Sequence, residues 1–227
     1  MAGSITAMRG LASQTSAWID LSDTDPRAGA LARFFLPVVK GWLTETGQQI
    51  TSDAMQVHGG MGYIEETGVA RHFRDIRILS IYEGTTAIQS NSLLRRQVGK
   101  NGGATVLAIC DEIERSLAGL DSHDHAAARR VASRMRAALA YARSATDTLV
   151  KRIADRPRDA HAGSVAYLTL WGLLAGGWIH TRVMAAVLGG ADLENAEQRI
   201  READFYAVHH LGRIGSLGDI IEAGEIA

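Results

Sequence analysis

The feature that most limits what this chain can fold into is the scarcity of anything that would break a helix. Only three prolines occur in 227 residues, Pro26, Pro37 and Pro157, and alternating runs of β-branched residues are nearly absent. Long segments rich in Ala, Leu and Arg carry apolar residues at helical intervals instead. Because a half-buried strand needs an apolar residue at every second position, this pattern predicts an all-α fold.

The apolar periodicity divides the chain into helical segments. They are predicted near residues 4–20, 28–58, 86–98, 105–118, 124–154, 160–188 and 193–211, with a connector of short helical or extended pieces at 61–82. Pro37 would kink the second segment. The stretch GKNGGA at 99–104 is the best linker candidate, since glycines favour turns. We therefore expect two units, residues 1–99 and residues 104–227, the second forming an antiparallel helical bundle.

Composition excludes several classes of function. The net charge is −1 and acidic and basic residues are interleaved, so neither a nucleic acid nor a membrane surface is an expected partner. The most apolar stretch, 165–179, is shorter than the roughly 20 residues that a membrane-spanning helix needs. It is expected to be a buried helix, with Trp171 and Trp178 in the core.

The cysteine and histidine content points to an ordinary cytoplasmic protein without a metal site. The single cysteine, Cys110, excludes an internal disulfide, and its apolar flanks predict a buried side chain. His123 and His125 fit a polar turn better than a metal site. The first residues show no signal-peptide pattern.

Residues 56–89, QVHGGMGYIEETGVARHFRDIRILSIYEGTTAIQ, contain the most informative pattern. A helix end runs into glycines from Gln56 to Tyr63, and glycines let a backbone approach a ligand closely. Further along, Glu83 and Gly84 precede a helix start, where a carboxylate lies close to free backbone amides. Taken separately, the glycines also fit a helix C-cap, and Glu83 fits a residue that complements the helix dipole.

Taken together and in order, these residues resemble the C-terminal helical domain of flavin-dependent acyl-CoA dehydrogenases. The family pattern is Gln-x-x-Gly-Gly-x-Gly-Tyr, then Arg-Asp, then Ile-Tyr-Glu-Gly-Thr, and a later Gln. This sequence supplies it with Gln56, Gly59, Gly60, Gly62, Tyr63, Arg74, Asp75, Ile81, Tyr82, Glu83, Gly84, Thr85 and Gln89. The resemblance covers residues 1–99 and implies that they form part of a domain resembling a four-helix bundle. By size and helicity, the second half resembles the extra helical domain of long members close to methylmercaptopropionyl-CoA dehydrogenases.

The resemblance implies an activity and a site. Glu83 would be the base that removes the α-proton of an acyl-CoA thioester while a hydride leaves the β-carbon for flavin N5, and such a base is expected to be shielded from water. The backbone N–H of Glu83 would donate to the thioester oxygen, and Tyr82 and Gly84 would line the substrate pocket. Contacts with FAD are implied for four residues, the first three of them with the FAD of a neighbouring subunit: Gln56, Gly59, Gly60 and Thr85.

The resemblance also implies a homo-oligomer and an electron-transfer flavoprotein as the electron acceptor. In one departure, Ala87 stands where many members carry a polar side chain, so that Thr86 or Gln89 would have to replace its contact with FAD. In another, nothing here resembles the family's N-terminal helical domain or its middle β-sheet domain. We therefore expect a C-terminal fragment that binds no FAD and is inactive by itself. The alternative is a non-catalytic helical module for assembly or oligomerisation.

Overall fold

The computed structural model describes residues 1–192 and 194–224, and these residues form helices and turns without a strand, which confirms the all-α prediction. The first-half helices are α1 (Ala2–Asp20), α2 (Pro26–Val38), α3 (Thr44–Val57), α4 (Gly60–Tyr63), α5 (Val69–Arg77) and α6 (Thr86–Leu93). The second-half helices are α7 (Ala104–Ser116), α8 (Ala118–Asp121), α9 (Ala126–Asp155), α10 (Pro157–Ala162), α11 (Ser164–Leu188), α12 (Ala196–His209) and α13 (Ile214–Ala223).

Helix α11 is the centre around which the other helices pack. It contacts α1, α6, α9, α12 and α13. Trp171 is fully buried and Trp178 is 3% exposed, so the prediction of a buried helix with tryptophans in the core is confirmed. Among the described residues, no helix combines the length and the apolar character that crossing a membrane would require.

Three glycines let large side chains from other helices enter the surface of α11. A Cβ atom on Gly172 would lie 2.0 Å from Cγ of Trp42, and one on Gly176 would lie 2.2 Å from the Tyr206 hydroxyl oxygen. A Cβ atom on Gly177 would lie 2.6 Å from a methionine sulfur of α9. Each glycine costs about 1 kcal/mol of helix propensity relative to alanine. Full burial of one large apolar side chain contributes about 1.5–3 kcal/mol, so close packing offsets the loss.

Aromatic rings extend this core from α11 to α1 and α2. The Trp18 ring stacks on Phe35 with centroids 5.2 Å apart and on Trp178 with centroids 6.0 Å apart. Buried residues from both halves of the chain belong to one hydrophobic core. The division into units 1–99 and 104–227 therefore stays a prediction, because the hydrophobic core of the described residues is continuous across the proposed boundary.

The kink expected at Pro37 takes the form of a π turn, Val39–Leu43, between α2 and α3. Proline has no N–H to donate to the preceding turn, and π turns are common where a helix accommodates such a defect. The Thr44 hydroxyl donates to the carbonyl oxygens of Lys40 at 2.8 Å and Gly41 at 3.1 Å. The helix consequently continues through the defect to Val57 instead of stopping.

The connector and the linker candidate are more regular than the sequence indicates. Besides α4 and α5, the connector forms 3-10 turns at Glu65–Thr67 and Ile78–Ser80, and it contains no extended strand. GKNGGA forms a compact turn in which Gly102 and Gly103 have φ of +61° and +80°. Glycine adopts such angles without a steric cost, so this stretch reverses the chain tightly.

Three further predictions concern the single cysteine, the C-terminal tail and the segment 193–211. Cys110 is fully buried, as predicted, and burial raises the pKa of its thiol to about 11. The tail after α12 packs against the core through Ile214 and Ile221, both fully buried. The predicted segment 193–211 corresponds to α12, and its first residue, Leu193, lies outside the described residues.

Replacing Gly172 with alanine should lower the free energy of unfolding by about 1–3 kcal/mol, because the new methyl group would overlap the Trp42 indole. Chemical denaturation followed by circular dichroism measures the change. Gly212→Ala is the matched control, since a Cβ atom there meets no atom within 4 Å, and its effect should stay within about 0.5 kcal/mol. Equal denaturation midpoints for the two variants would contradict this packing.

Candidate active site

Glu83 lies in the short loop that joins the 3-10 turn Ile78–Ser80 to α6, with an unusual backbone conformation. Its φ is +53°, and φ of the next residue, Gly84, is +94°. Positive φ is uncommon for residues other than glycine and costs on the order of 1 kcal/mol. A residue keeps such a conformation only where its surroundings fix it, and residues of this kind cluster at functional sites.

Two side-chain hydrogen bonds fix the loop at its junction with α6. The Gln89 side-chain amide donates to the backbone carbonyl of Glu83 at 3.0 Å. The Thr86 hydroxyl donates to Oε1 of Glu45, on the first turn of α3, at 2.5 Å. Thr86 and Gln89, the two residues that would have to replace the FAD contact missing at Ala87, are thus both hydrogen-bonded within the chain.

Lys40 fixes the other end of the loop. Its ammonium group donates to the backbone carbonyl of Leu79 and lies 5.2 Å from the centroid of the Tyr82 ring. A cation at this distance from an aromatic ring is attracted to it. Lys40 belongs to the π turn, so the defect after Pro37 places the side chain that holds this loop.

The Glu83 carboxylate is exposed in the chain by itself, which differs from the shielding that we expected. The loop projects from the surface, and no described element packs over it. Three neighbouring apolar side chains are also about half exposed, Ile78 at 54%, Ile81 at 48% and Ile88 at 59%. Clustered apolar surface of this kind is typical of a face that another surface covers. Any shielding of Glu83 must come from such a covering surface.

The predicted cofactor residues Gln56, Gly59 and Gly60 lie together at the end of α3, and all three are exposed. Gly59 has φ of +60° and ψ of −145°, a region that is essentially restricted to glycine. Cβ atoms built on Gly59 or Gly60 would meet no atom within 4 Å. A flat or phosphate-bearing group could therefore approach this backbone closely from outside the chain, and the arrangement fits a flavin cofactor.

The structure does not bring these residues to the Glu83 loop. The loop is tied to α3 at Glu45, whereas Gln56 is one residue from the end of that helix. At 1.5 Å per residue, the two positions are about 16 Å apart along the helix axis. Tyr82, Glu83, Gly84 and Thr85 thus form one group, and the residues near Gly59 form another.

Other residues of the sequence pattern hold the connector in place. Arg74 donates two hydrogen bonds to the Glu65 carboxylate, at 2.7 Å and 2.9 Å, and these bonds lower the pKa of Glu65. Gly62 is buried, and its position has no room for a side chain, because a Cβ atom there would lie 2.3 Å from the Met55 carbonyl oxygen. These contacts stabilise the connector next to the glycine corner.

A cleft of about 590 Å³ opens beside the start of α6. Thr86 and Ala87 line one side, Glu45 and Ile50 of α3 line another, and Leu168 of α11 closes it. The cleft therefore lies between the two halves of the chain, next to the Glu83 loop. Its volume is in the range of small-molecule sites in proteins.

Sequence reasoning missed Lys40 and Glu45, because both lie about 40 positions before the loop that they hold. One signal was available. Lys40 is the only charged residue between Pro37 and Glu45, within the apolar run LPVVKGWL.

Comparisons with known proteins identify the family of this chain. Residues 1–98 match the family model described as "Acyl-CoA dehydrogenase, C-terminal domain", and residues 109–227 match the one described as "Acetyl-CoA dehydrogenase C-terminal like". The chain belongs to the acyl-CoA dehydrogenase family. The resemblance found in the sequence is therefore confirmed.

Individual relatives cover most of this chain. The 3-methylmercaptopropionyl-CoA dehydrogenase of Ruegeria pomeroyi is 42% identical over 88% of the chain, and the broad-specificity linear acyl-CoA dehydrogenase FadE5 of Mycobacterium tuberculosis is 26% identical over 82%. The crystal structure of Caenorhabditis elegans ACDH-11 in complex with C11-CoA superimposes with a TM-score of 0.63 over 93% of the chain, at 21% identity, and supports the fold. The chain spans about a third of these proteins, 35%, 32% and 35% of their lengths.

Gly84→Ala should destabilise the chain by about 1–2 kcal/mol, because alanine at φ +94° is strained and its Cβ would lie 3.1 Å from the Gln89 amide nitrogen. Thermal unfolding measures the effect. Gly60→Ala is the control, with no atom within 4 Å of a Cβ and no positive φ, and should change stability by less than about 0.5 kcal/mol. If Gly84→Ala unfolds like Gly60→Ala, the loop does not adopt the conformation described here.

Proposed function

We propose that this chain forms the C-terminal part of an FAD-dependent acyl-CoA dehydrogenase in which Glu83 is the catalytic base. The observation that carries the proposal is the positive φ of Glu83, in a loop held by Gln89 and Lys40. A merely solvated surface carboxylate would need no such support. The family's pattern, present here in order and spacing, assigns the same residue.

In the proposed reaction, the Glu83 carboxylate accepts the α-proton of an acyl-CoA thioester. FAD, when bound, supplies the acceptor for the hydride from the β-carbon. The backbone N–H of Glu83 donates to the thioester oxygen as negative charge develops there, which stabilises the transition state. Gly84 leaves space for the flat thioester because it has no side chain, and the Tyr82 ring lines the same pocket.

The two groups of cofactor residues support an assembly of more than one subunit. Thr85 lies beside the base, just before α6, whereas Gln56 lies in the last turn of α3 and Gly59 and Gly60 directly follow that helix. We propose that Thr85 contacts the flavin of its own active site and that the glycine corner contacts the FAD of a neighbouring copy. Two exposed surfaces on one chain would then be buried in a homo-oligomer.

We also propose a division of labour between the two parts of the chain. Residues 1–99 carry the site, and residues 104–227 are an additional helical unit whose α11 supports the π turn under the loop. By family resemblance, the electron acceptor is an electron-transfer flavoprotein. The observation that favours the alternative, a helical assembly module, is the exposure of Glu83 and its apolar neighbours.

In the complete protein, Glu83→Gln should lower kcat for acyl-CoA oxidation by about 10²–10⁴-fold, because an amide cannot accept the α-proton. Dye reduction and exchange of the α-proton with deuterated water are the measurements. Glu66→Gln, which changes an exposed glutamate in the 3-10 turn Glu65–Thr67, is the control and should turn over normally. Unchanged turnover in Glu83→Gln would favour the assembly module.

The chain alone should purify without flavin and without dehydrogenase activity. The predicted cofactor residues are all exposed, and they lie in two separate groups, so no enclosed flavin site is formed by one copy. The visible absorbance of the purified chain, before and after incubation with FAD, is the measurement. A yellow preparation that retains stoichiometric flavin after gel filtration would contradict this expectation.

A further inference from the structure

A second cavity, of about 760 Å³, lies at the opposite end of α6 from Glu83. Its lining joins α2, the turns after α6 and the start of α7, and it contains four basic side chains and no acidic one. The basic side chains are Arg33, Arg95, Arg96 and Lys100. Arg95, Arg96 and Lys100 are neighbours in the sequence, whereas Arg33 lies more than 60 positions before them and joins them only in the fold.

The charge in this cavity is not neutralised within the described residues. Elsewhere in the chain many arginines pair with carboxylates, as Arg130 does with Asp204 and Arg136 with Glu114 and Asp121. None of the four cavity cations makes an ion pair within 4 Å among the residues that the structure describes. Four like charges around one concave space repel one another, and an anion inside the space would relieve that repulsion.

Arg95 is held in place by a neutral group, so its positive charge has no counter-ion in this contact. Its guanidinium donates from two nitrogens to Nε2 of His161, at 3.2 Å and 3.1 Å. Nδ1 of His161 donates to Oδ1 of Asn91 at 2.7 Å, which leaves Nε2 as the acceptor. Burial, with the nearby Arg95 charge, lowers the pKa of His161, so the imidazole is neutral at pH 7.

The backbone at the mouth of the cavity is also ordered by the chain itself. The Asn101 side-chain amide donates to the Thr105 hydroxyl at 2.6 Å, and both residues line the cavity. Gly103 donates its N–H to the Val98 carbonyl, which closes the GKNGGA turn against the end of the preceding helix. Lys100 is thus carried by a compact turn.

We propose that this cavity binds a small molecule that carries a diphosphate or a comparable pair of phosphate groups. Guanidinium groups match phosphate oxygens in geometry as well as charge, and three of the four cations are arginines. The volume suits a ligand of nucleotide size. This site is separate from the Glu83 loop, and the proposal does not depend on the role of Glu83.

The test is calorimetric titration of the chain with inorganic pyrophosphate at low ionic strength. Saturable binding at one site is expected, and it should weaken as salt is added because the cations are exposed. Arg33→Gln combined with Arg96→Gln should weaken binding at least about tenfold, since charged hydrogen bonds of this kind are the main attraction. Arg9→Gln, an exposed arginine of α1 outside the cavity, should change affinity less than about twofold.

The absence of saturable pyrophosphate binding, or an equal loss in Arg9→Gln and the double variant, would overturn the proposal. Thermal unfolding checks that the double variant is folded. If it is not, Lys100→Gln gives an independent measurement, because this exposed side chain makes no contact that the fold needs and its loss should still weaken binding. Competition with ADP, coenzyme A and FAD then identifies the source of the phosphates. Equal competition by adenosine, which carries no phosphate, would contradict the assignment.

Discussion

The contact between Trp42 and Gly172 is the interaction on which most of this structure depends. It joins the π turn of the first half to the central helix of the second, and it is possible only because Gly172 has no side chain. The same π turn carries Lys40, which holds the Leu79 carbonyl and lies over the Tyr82 ring. Core packing and the conformation of the Glu83 loop are therefore set by one short segment of backbone.

The Glu83 loop already has a fixed conformation in this chain, but the described residues do not enclose it. Glu83 has a strained backbone that several contacts fix, yet its carboxylate and the surrounding apolar side chains are exposed. The glycine corner at Gly59 is similarly open and lies at the far end of α3. This combination of local order and exposure is what a surface shows when its partner surfaces lie on other domains or other copies.

Sequence reasoning located the helices and the site motif but could not place the motif in space. Apolar periodicity identified α9 and α11 within a few residues, because these helices bury one continuous face. The pattern around Glu83 was clear from spacing, whereas the contacts of Lys40 and Glu45 with the two ends of its loop join residues about 40 positions apart. The GKNGGA stretch was interpreted as a linker from its glycines. The structure makes it a tight turn that places Lys100 in the lining of the same cavity as Arg33, a residue too distant in sequence for this arrangement to be predicted.

The π turn after Pro37 has a consequence for laboratory evolution of this protein. A proline inside a helix removes a backbone hydrogen bond, so replacing Pro37 to restore a regular helix is one conceivable route to a more stable variant. Regularising the turn would rotate every later residue of the helix relative to α11, and Lys40 would lose its alignment with the loop. A more regular helix would therefore come at the expense of the contact that holds the Glu83 loop, and stabilised variants that keep the loop conformation should retain the irregular turn.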